Sequence, residues 1–393
     1  MGIYTGPILC IYRLGMSMKN HYVQQYVLKE FATKCGEDYH IQVVDFSVNN
    51  GGWRNTHSAF YSRNLYSDEL ENEFNYSIET TITPLFDKLK NNNKNVMISR
   101  EEFNLIKKYI LLQLYRTPDS FENLSTRYSD RIGMIEIDMS NHKSKNKKEY
   151  WNNMMLCILR TGWDSIDKIG YSVVRYDKCV LDRLFPMLIK SNEEPLIVCD
   201  TGYYCEDRKV VAPSNNIGYW KKTFSFYFQR DVSREDTLFL MKNKLPYLNF
   251  LSFPLSLSTS LLLIDDVWRF YTPEIKKSFD SFGITSRFLE EYLKKPDVRY
   301  ENQTKINESL SIEDNTGYFS KNDLILIYVV SVSKHASIYL NTLCIGNCYE
   351  KIGFRSRTEL SATIDYYKEA IEHLPYLHNF SFDDKIDYNK PLN

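Results

Sequence analysis

The sequence predicts an α+β protein in which an N-terminal helical layer packs on a C-terminal mixed or antiparallel sheet. Three observations carry this reading. Long apolar stripes at helical spacing dominate up to about residue 190. The pattern changes at Glu194-Pro195, after which β-branched and apolar runs of strand length recur. The 393 residues, 43% of them hydrophobic, can bury a core large enough for two or three subdomains. The expected organisation is a leader over 1–17, a mainly helical part over 18–190, a mixed-sheet part over 191–357, and a C-terminal helix and tail over 358–393.

The elements follow in order. A short helix is expected from about Asn20 to Thr33, with Val23, Tyr26, Val27 and Phe31 as its apolar stripe. Ile41 to Phe46 alternates and reads as a strand, closed by the turn Val48-Asn49-Asn50-Gly51-Gly52. A long helix spans Ser67 to Asn91, capped by Ser67 or Asp68 and kinked or restarted at Pro84. Ser99-Arg100-Glu101-Glu102 forms a capping box into a second long helix that ends near Arg116, before Thr117-Pro118. Glu122 to Asp130, Tyr150 to Ile169 and Asp177 to Lys190 continue the helical pattern. The run His142-Lys143-Ser144-Lys145-Asn146-Lys147-Lys148 is a charged surface link, a solvated loop rather than a phosphate site.

Beyond residue 194, strands are expected at Leu196 to Asp200, Phe224 to Phe228, Phe250 to Pro254, Ser260 to Ile264 and Leu324 to Val332. Helices are expected at Pro273 to Phe279, Thr285 to Tyr292, Ser333 to Cys348 and Glu359 to His373.

Composition excludes several classes. A net charge of -1 gives no global field toward nucleic acid or anionic membrane, although a local basic groove remains compatible with it. Eight cysteines in a long chain without a secretory signal favour reduced thiols and a cytoplasmic setting. Cys344 and Cys348 could supply half of a zinc site, but small buried side chains are the better reading. The first residues are too broken by Gly6 and Pro7 for a signal peptide, and Met16 and Met18 offer alternative starts. The apolar runs are too short for a membrane span. Phosphate loop, dinucleotide fingerprint, zinc-protease helix and nucleophile elbow are all missing.

Four separated stretches resemble the domain-of-unknown-function 4238 family, whose members open with H-x-V-P-Q-x-Y-L-x-x-F. His21 to Phe31 follows that pattern, with Gln24 standing where the family has proline. Ile78-Glu79, Gln113-Leu114-Tyr115-Arg116-Thr117-Pro118 and Pro195 to Asp200 resemble later blocks in the same order. Phe253-Pro254-Leu255-Ser256 and Leu340-Asn341 extend the similarity, which covers about residues 18 to 357. The resemblance implies no defined chemistry; it suggests a toxin-like or antiviral-defence role.

The polar residues of these blocks form the candidate site. His21 and Gln25, four apart, are expected on one face of the first helix, with Gln113 and Arg116 on a second, Glu79 on a third, and Asp200 at a strand end. His21 could transfer protons, Arg116 could hold a phosphate, and Glu79 or Asp200 could orient the histidine or hold a divalent metal. Gln25, Gln113 and Asn341 would contact substrate. Each has a structural alternative: a helix-start contact for His21, a buried ion pair of Arg116 with Glu79 or Asp200, a turn cap for Asp200, and backbone hydrogen bonding for Gln113 and Asn341. Two functions follow: a phosphodiester hydrolase acting on RNA or a nucleotide ligand, or a non-enzymatic protein that binds a ligand or partner.

Overall fold

Hydrophobic packing on both faces of one sheet organises the computed structural model, which describes residues 19–118, 135, 138–209, 221, 231, 233–235, 246–282, 285–299, 322–370, 380 and 382. The leader, the Glu122 to Asp130 helix and the Phe224 to Phe228 strand lie outside the described residues.

The described strands are β1 (Lys19–His21), β2 (Thr33–Cys35), β3 (Asp38–Asp45), β4 (Asn50–Asn55), β5 (Tyr61–Arg63), β6 (Val96–Ser99), β7 (Leu184–Ser191), β8 (Val198–Cys199), β9 (Tyr204–Lys209), β10 (Pro246–Ser256), β11 (Thr259–Asp265), β12 (Asp297–Arg299), β13 (Leu324–Ile327), β14 (Val329–Val332) and β15 (Lys351–Phe354). The central sheet has the order β14-β7-β11-β10-β9, antiparallel except for the parallel β14 and β7 pair. A second sheet runs β2-β3-β15-β8, with β4 also paired to β3. β12-β13-β6 form a third sheet, and β1 and β5 a two-stranded ribbon.

Alternate side chains of the central strands enter different cores. Leu184 and Leu188 of β7, with Leu261 and Leu263 of β11, belong to one cluster. Phe185, Met187 and Ile189 of β7, with Leu262 and Ile264 of β11, belong to the other. The helices Asp68–Glu73, Thr80–Lys90, Arg100–Arg116 and Lys147–Arg160 bury their stripes in the first. Helices Lys334–Asn347 and Arg357–Ala370 pack into the second.

The expected succession of a helical layer followed by a sheet is not what forms. Six strands lie within residues 19–99, and β3 pairs with β15 from the far end of the chain. The short N-terminal strands have exposed or mixed faces and carry little periodic signal. The Asp177 to Lys190 helix divides into a helix, Ser172–Asp182, and β7. All eight residues of β7 are buried, so a run apolar on both faces shows no two-residue period to distinguish it from buried helix. Leu324 to Val332 likewise separates into β13 and β14, which join different sheets. The capping box at Ser99 and the Ser67 cap form as expected.

Candidate functional site

The first helix is shorter than its stripe suggests. It covers only Gln25–Lys29, and His21 ends β1 instead of sharing a helical face with Gln25. The two side chains still converge, on a 3₁₀ turn at Thr56–Ser58 that Asn55 caps through the His57 backbone N–H. His21 Nε2 lies 3.1 Å from the His57 carbonyl oxygen, and Gln25 Nε2 donates to the Thr56 carbonyl at 2.5 Å.

A carbonyl oxygen can only accept, so Nε2 carries the proton and Nδ1 presents the lone pair. Burial pushes the imidazole below its usual 6.5, and the nearby Arg116 and His57 charges work in the same direction; the His57 carbonyl and Glu79 oppose them. His21 is therefore a neutral base at pH 7. The Tyr61 ring lies 6.2 Å from it, centroid to centroid.

Behind this strand lies a closed ion cluster. Arg116, at the end of its helix and 2% exposed, donates from Nη1 to Glu79, from Nε to the Tyr66 hydroxyl at 3.0 Å, and lies 3.9 Å from Glu71. Its guanidinium stacks 4.4 Å above the Phe74 ring centroid. The Tyr66 hydroxyl in turn donates to the His21 carbonyl at 3.1 Å.

Glu79 ends a π-helical turn, Phe74–Glu79, inserted between two α-helices. Pro84, in the following helix, cannot donate to the carbonyl four residues back, and its ring crowds that group. Threonine hydroxyls bond carbonyls of the widened stretch: Thr80 to Asn75, Thr81 to Ser77 and Thr83 to Glu79. The irregularity expected at Pro84 thus appears one turn earlier, at the residues that reach Arg116.

The remaining candidates are held elsewhere. Asp200 accepts from the backbone N–H groups of Tyr349, Glu350 and Lys351 at 2.7 to 2.8 Å and fixes the turn into β15. Burial pushes its carboxyl up to about 6 although these donors favour the ionised form. Gln113 Nε2 donates to the carbonyls of Tyr22 and Thr201. Asn341 donates to the Pro195 carbonyl and accepts from the Ile197 N–H. The arrangement therefore brings His21, Gln25, Glu79 and Arg116 into one neighbourhood, and commits Gln113, Asn341 and Asp200 to backbone.

Glu79 is paired with Arg116, and Asp200 with the backbone of residues 349 to 351. Among the described residues no group of three or more His, Cys, Asp or Glu side chains is placed to hold a metal ion. Cys344 and Cys348 are fully buried, as small core residues are.

Sequence reasoning missed His57, Tyr66 and Glu71. Glu71 and Glu79, eight apart along one helical stretch, are the only spacing signal that pointed to a shared partner. His57 and Tyr66 carry none, because both contacts depend on irregular backbone. A family model described as "Protein of unknown function (DUF4238)" matches residues 19–358. Neither the curated proteins nor the solved structures contain a match.

Proposed function

The chain belongs to the DUF4238 family, whose function is unknown, and from that premise we propose that it hydrolyses phosphodiester bonds in RNA, with His21 as the proton-transfer group. The observation that carries this reading is the fixed tautomer of His21: its Nε2 hydrogen is aimed at the His57 carbonyl, and burial keeps the ring neutral. An acceptor nitrogen held in place at neutral pH is what a general base for a hydroxyl or water requires.

The Arg116 charge favours the neutral histidine and the Glu79 charge opposes it. Both face each other, so the phosphate contact first expected of Arg116 requires that pair to open. Action as a toxin or antiviral-defence effector in the cytoplasm is the proposed context.

The test is cleavage of single-stranded RNA by the full chain and by His21→Ala, with melting temperature as the control for folding. A folded His21→Ala protein should lose about 10²- to 10⁴-fold in rate. Undiminished cleavage by that variant would exclude His21 as the base.

The enclosure of Arg116 favours a second reading, a non-enzymatic protein that binds a ligand or partner. It calls for thermal stabilisation by nucleotide or RNA without turnover.

A further inference from the structure

With Arg116 enclosed, contacts to a polyanion must come from other cations near His21, and the β1 and β5 ribbon supplies them. His21 pairs directly with Tyr61, and Arg63 stands two residues further along β5. Paired residues, and residues two apart, share a face of such a ribbon. His21 and Tyr61, both half-buried, and exposed Arg63 therefore form one row facing away from Asn20, which is paired with Ser62 and fully buried.

Arg63 is exposed, and among the described residues its guanidinium makes no hydrogen bond or ion pair. The ribbon end meets the basic run of residues 142–148. Exposed Lys148 donates from Nζ to the carbonyl of Asn64, the residue after Arg63, at 2.6 Å, leaving the ammonium donors to spare. Exposed His57 lies at the opposite end of the row, its carbonyl on His21.

We propose that this row is a docking surface for single-stranded RNA, with Arg63 and Lys148 on phosphates and Tyr61 stacked on a base. The inference rests on the phosphodiester reading and deepens it. Cations aligned with an aromatic ring match an unpaired strand, whose bases can reach a ring that a duplex keeps stacked away. The lone pair of His21 Nδ1 needs a donor, and the ribose 2′-hydroxyl, which DNA lacks, is one. As base, His21 would take that proton while the hydroxyl oxygen bonds to phosphorus and the 5′ oxygen leaves, taking a proton from water. The products are a 2′,3′-cyclic phosphate and a 5′-hydroxyl. This balances without an oxidant or a cofactor.

The experiment measures fluorescence anisotropy of a short labelled oligouridylate on the full chain and on three variants, Arg63→Gln, Lys148→Gln and Tyr61→Ala, each checked for an unchanged melting temperature. Wild-type protein should bind more tightly than about 100 μM, the weak limit of non-specific nucleic-acid binding. Tyr61→Ala should weaken binding about fivefold to a hundredfold. Each charge variant should weaken it and lower the slope of log affinity against log salt by about 0.7. Should Arg63→Gln destabilise the chain, Arg63→Lys, keeping the charge, should restore binding.

Absence of wild-type binding, equal affinity for a duplex of the same length, or folded variants that bind as wild type would overturn the docking surface. Binding that depends on Arg63 and Tyr61 without cleavage would keep the surface and reject the hydrolase. Cleavage indifferent to all three substitutions would do the reverse.

Discussion

Glu79 closes over the guanidinium of Arg116, tying the end of a π-helical turn to the end of the Arg100–Arg116 helix. Glu71 stands on the same guanidinium at a longer distance, so two carboxylates share one buried cation. The arrangement sets a hierarchy among the three residues.

Replacing Arg116 by Ala leaves Glu79 and Glu71 facing each other without a countercharge, and should cost about 3 to 5 kcal/mol in urea unfolding. Burial raises the Glu71 carboxyl above its usual range. The protonated form is thus favoured by folding, and its contribution is complete below 4.5 and lost as pH rises through the folded value. Glu71→Gln, which fixes the neutral form, should be as stable as wild type or more so at pH 7, and should not show that loss. A large destabilisation by Glu71→Gln would show that the ionised form is required.

The His21 imidazole has the opposite slope. Its folded value lies below 6.5, so stability is complete above 6.5 and lost as pH falls through the folded value. Melting temperature followed from pH 7.5 to about pH 5 should drop more steeply for wild type than for His21→Gln. Parallel curves would place the proton uptake elsewhere.

Gln24 precedes the first helix with φ at -59°, an angle that proline adopts without strain. Its side chain is 1% exposed, and neither amide atom has a hydrogen-bond partner among the described residues. Gln24→Pro should therefore stabilise the fold by about 1 kcal/mol or more, from a stiffer unfolded chain and relief of an orphaned amide. Urea unfolding measures it, and a loss of stability would show that the glutamine is held by contacts beyond the backbone.

Gly202 takes φ +73°, and a β-carbon there would stand 2.7 Å from Gln113 Nε2. Gly202→Ala should cost about 1 kcal/mol for the backbone and more for displacing an amide that holds two carbonyls. Gln113→Leu should lose the same bonds without the backbone strain, so a smaller loss for Gly202→Ala than for Gln113→Leu would mean that the amide adapts.

What was legible in the sequence follows from what is local. The Ser67 and Ser99 caps bond groups three residues away, so they could be read directly. The family was legible too, as the match over 19–358 bears out. β7 was not, because its neighbours β11 and β14 come from distant sequence and its burial on both faces removes the alternation. At the site, the rule that buried charge needs countercharge gave Arg116 a carboxylate partner, Glu79 or Asp200, and the fold selects Glu79. The partners of Asp200 and Gln113 could not, since they are backbone groups placed by turns with no sequence signature.

A two-stranded ribbon three residues long has little stability of its own. What keeps β1 in place is a handful of tethers: the Tyr66 hydroxyl on the His21 carbonyl, the Tyr66 N–H on Asn20, and Gln113 on the Tyr22 carbonyl. Detachment of this segment should cost less than global unfolding. Amide hydrogens of residues 20 to 22 should exchange well before those of β7. The lifetime of the closed ribbon also sets an upper limit on how long the imidazole can keep a fixed position against anything lying on it.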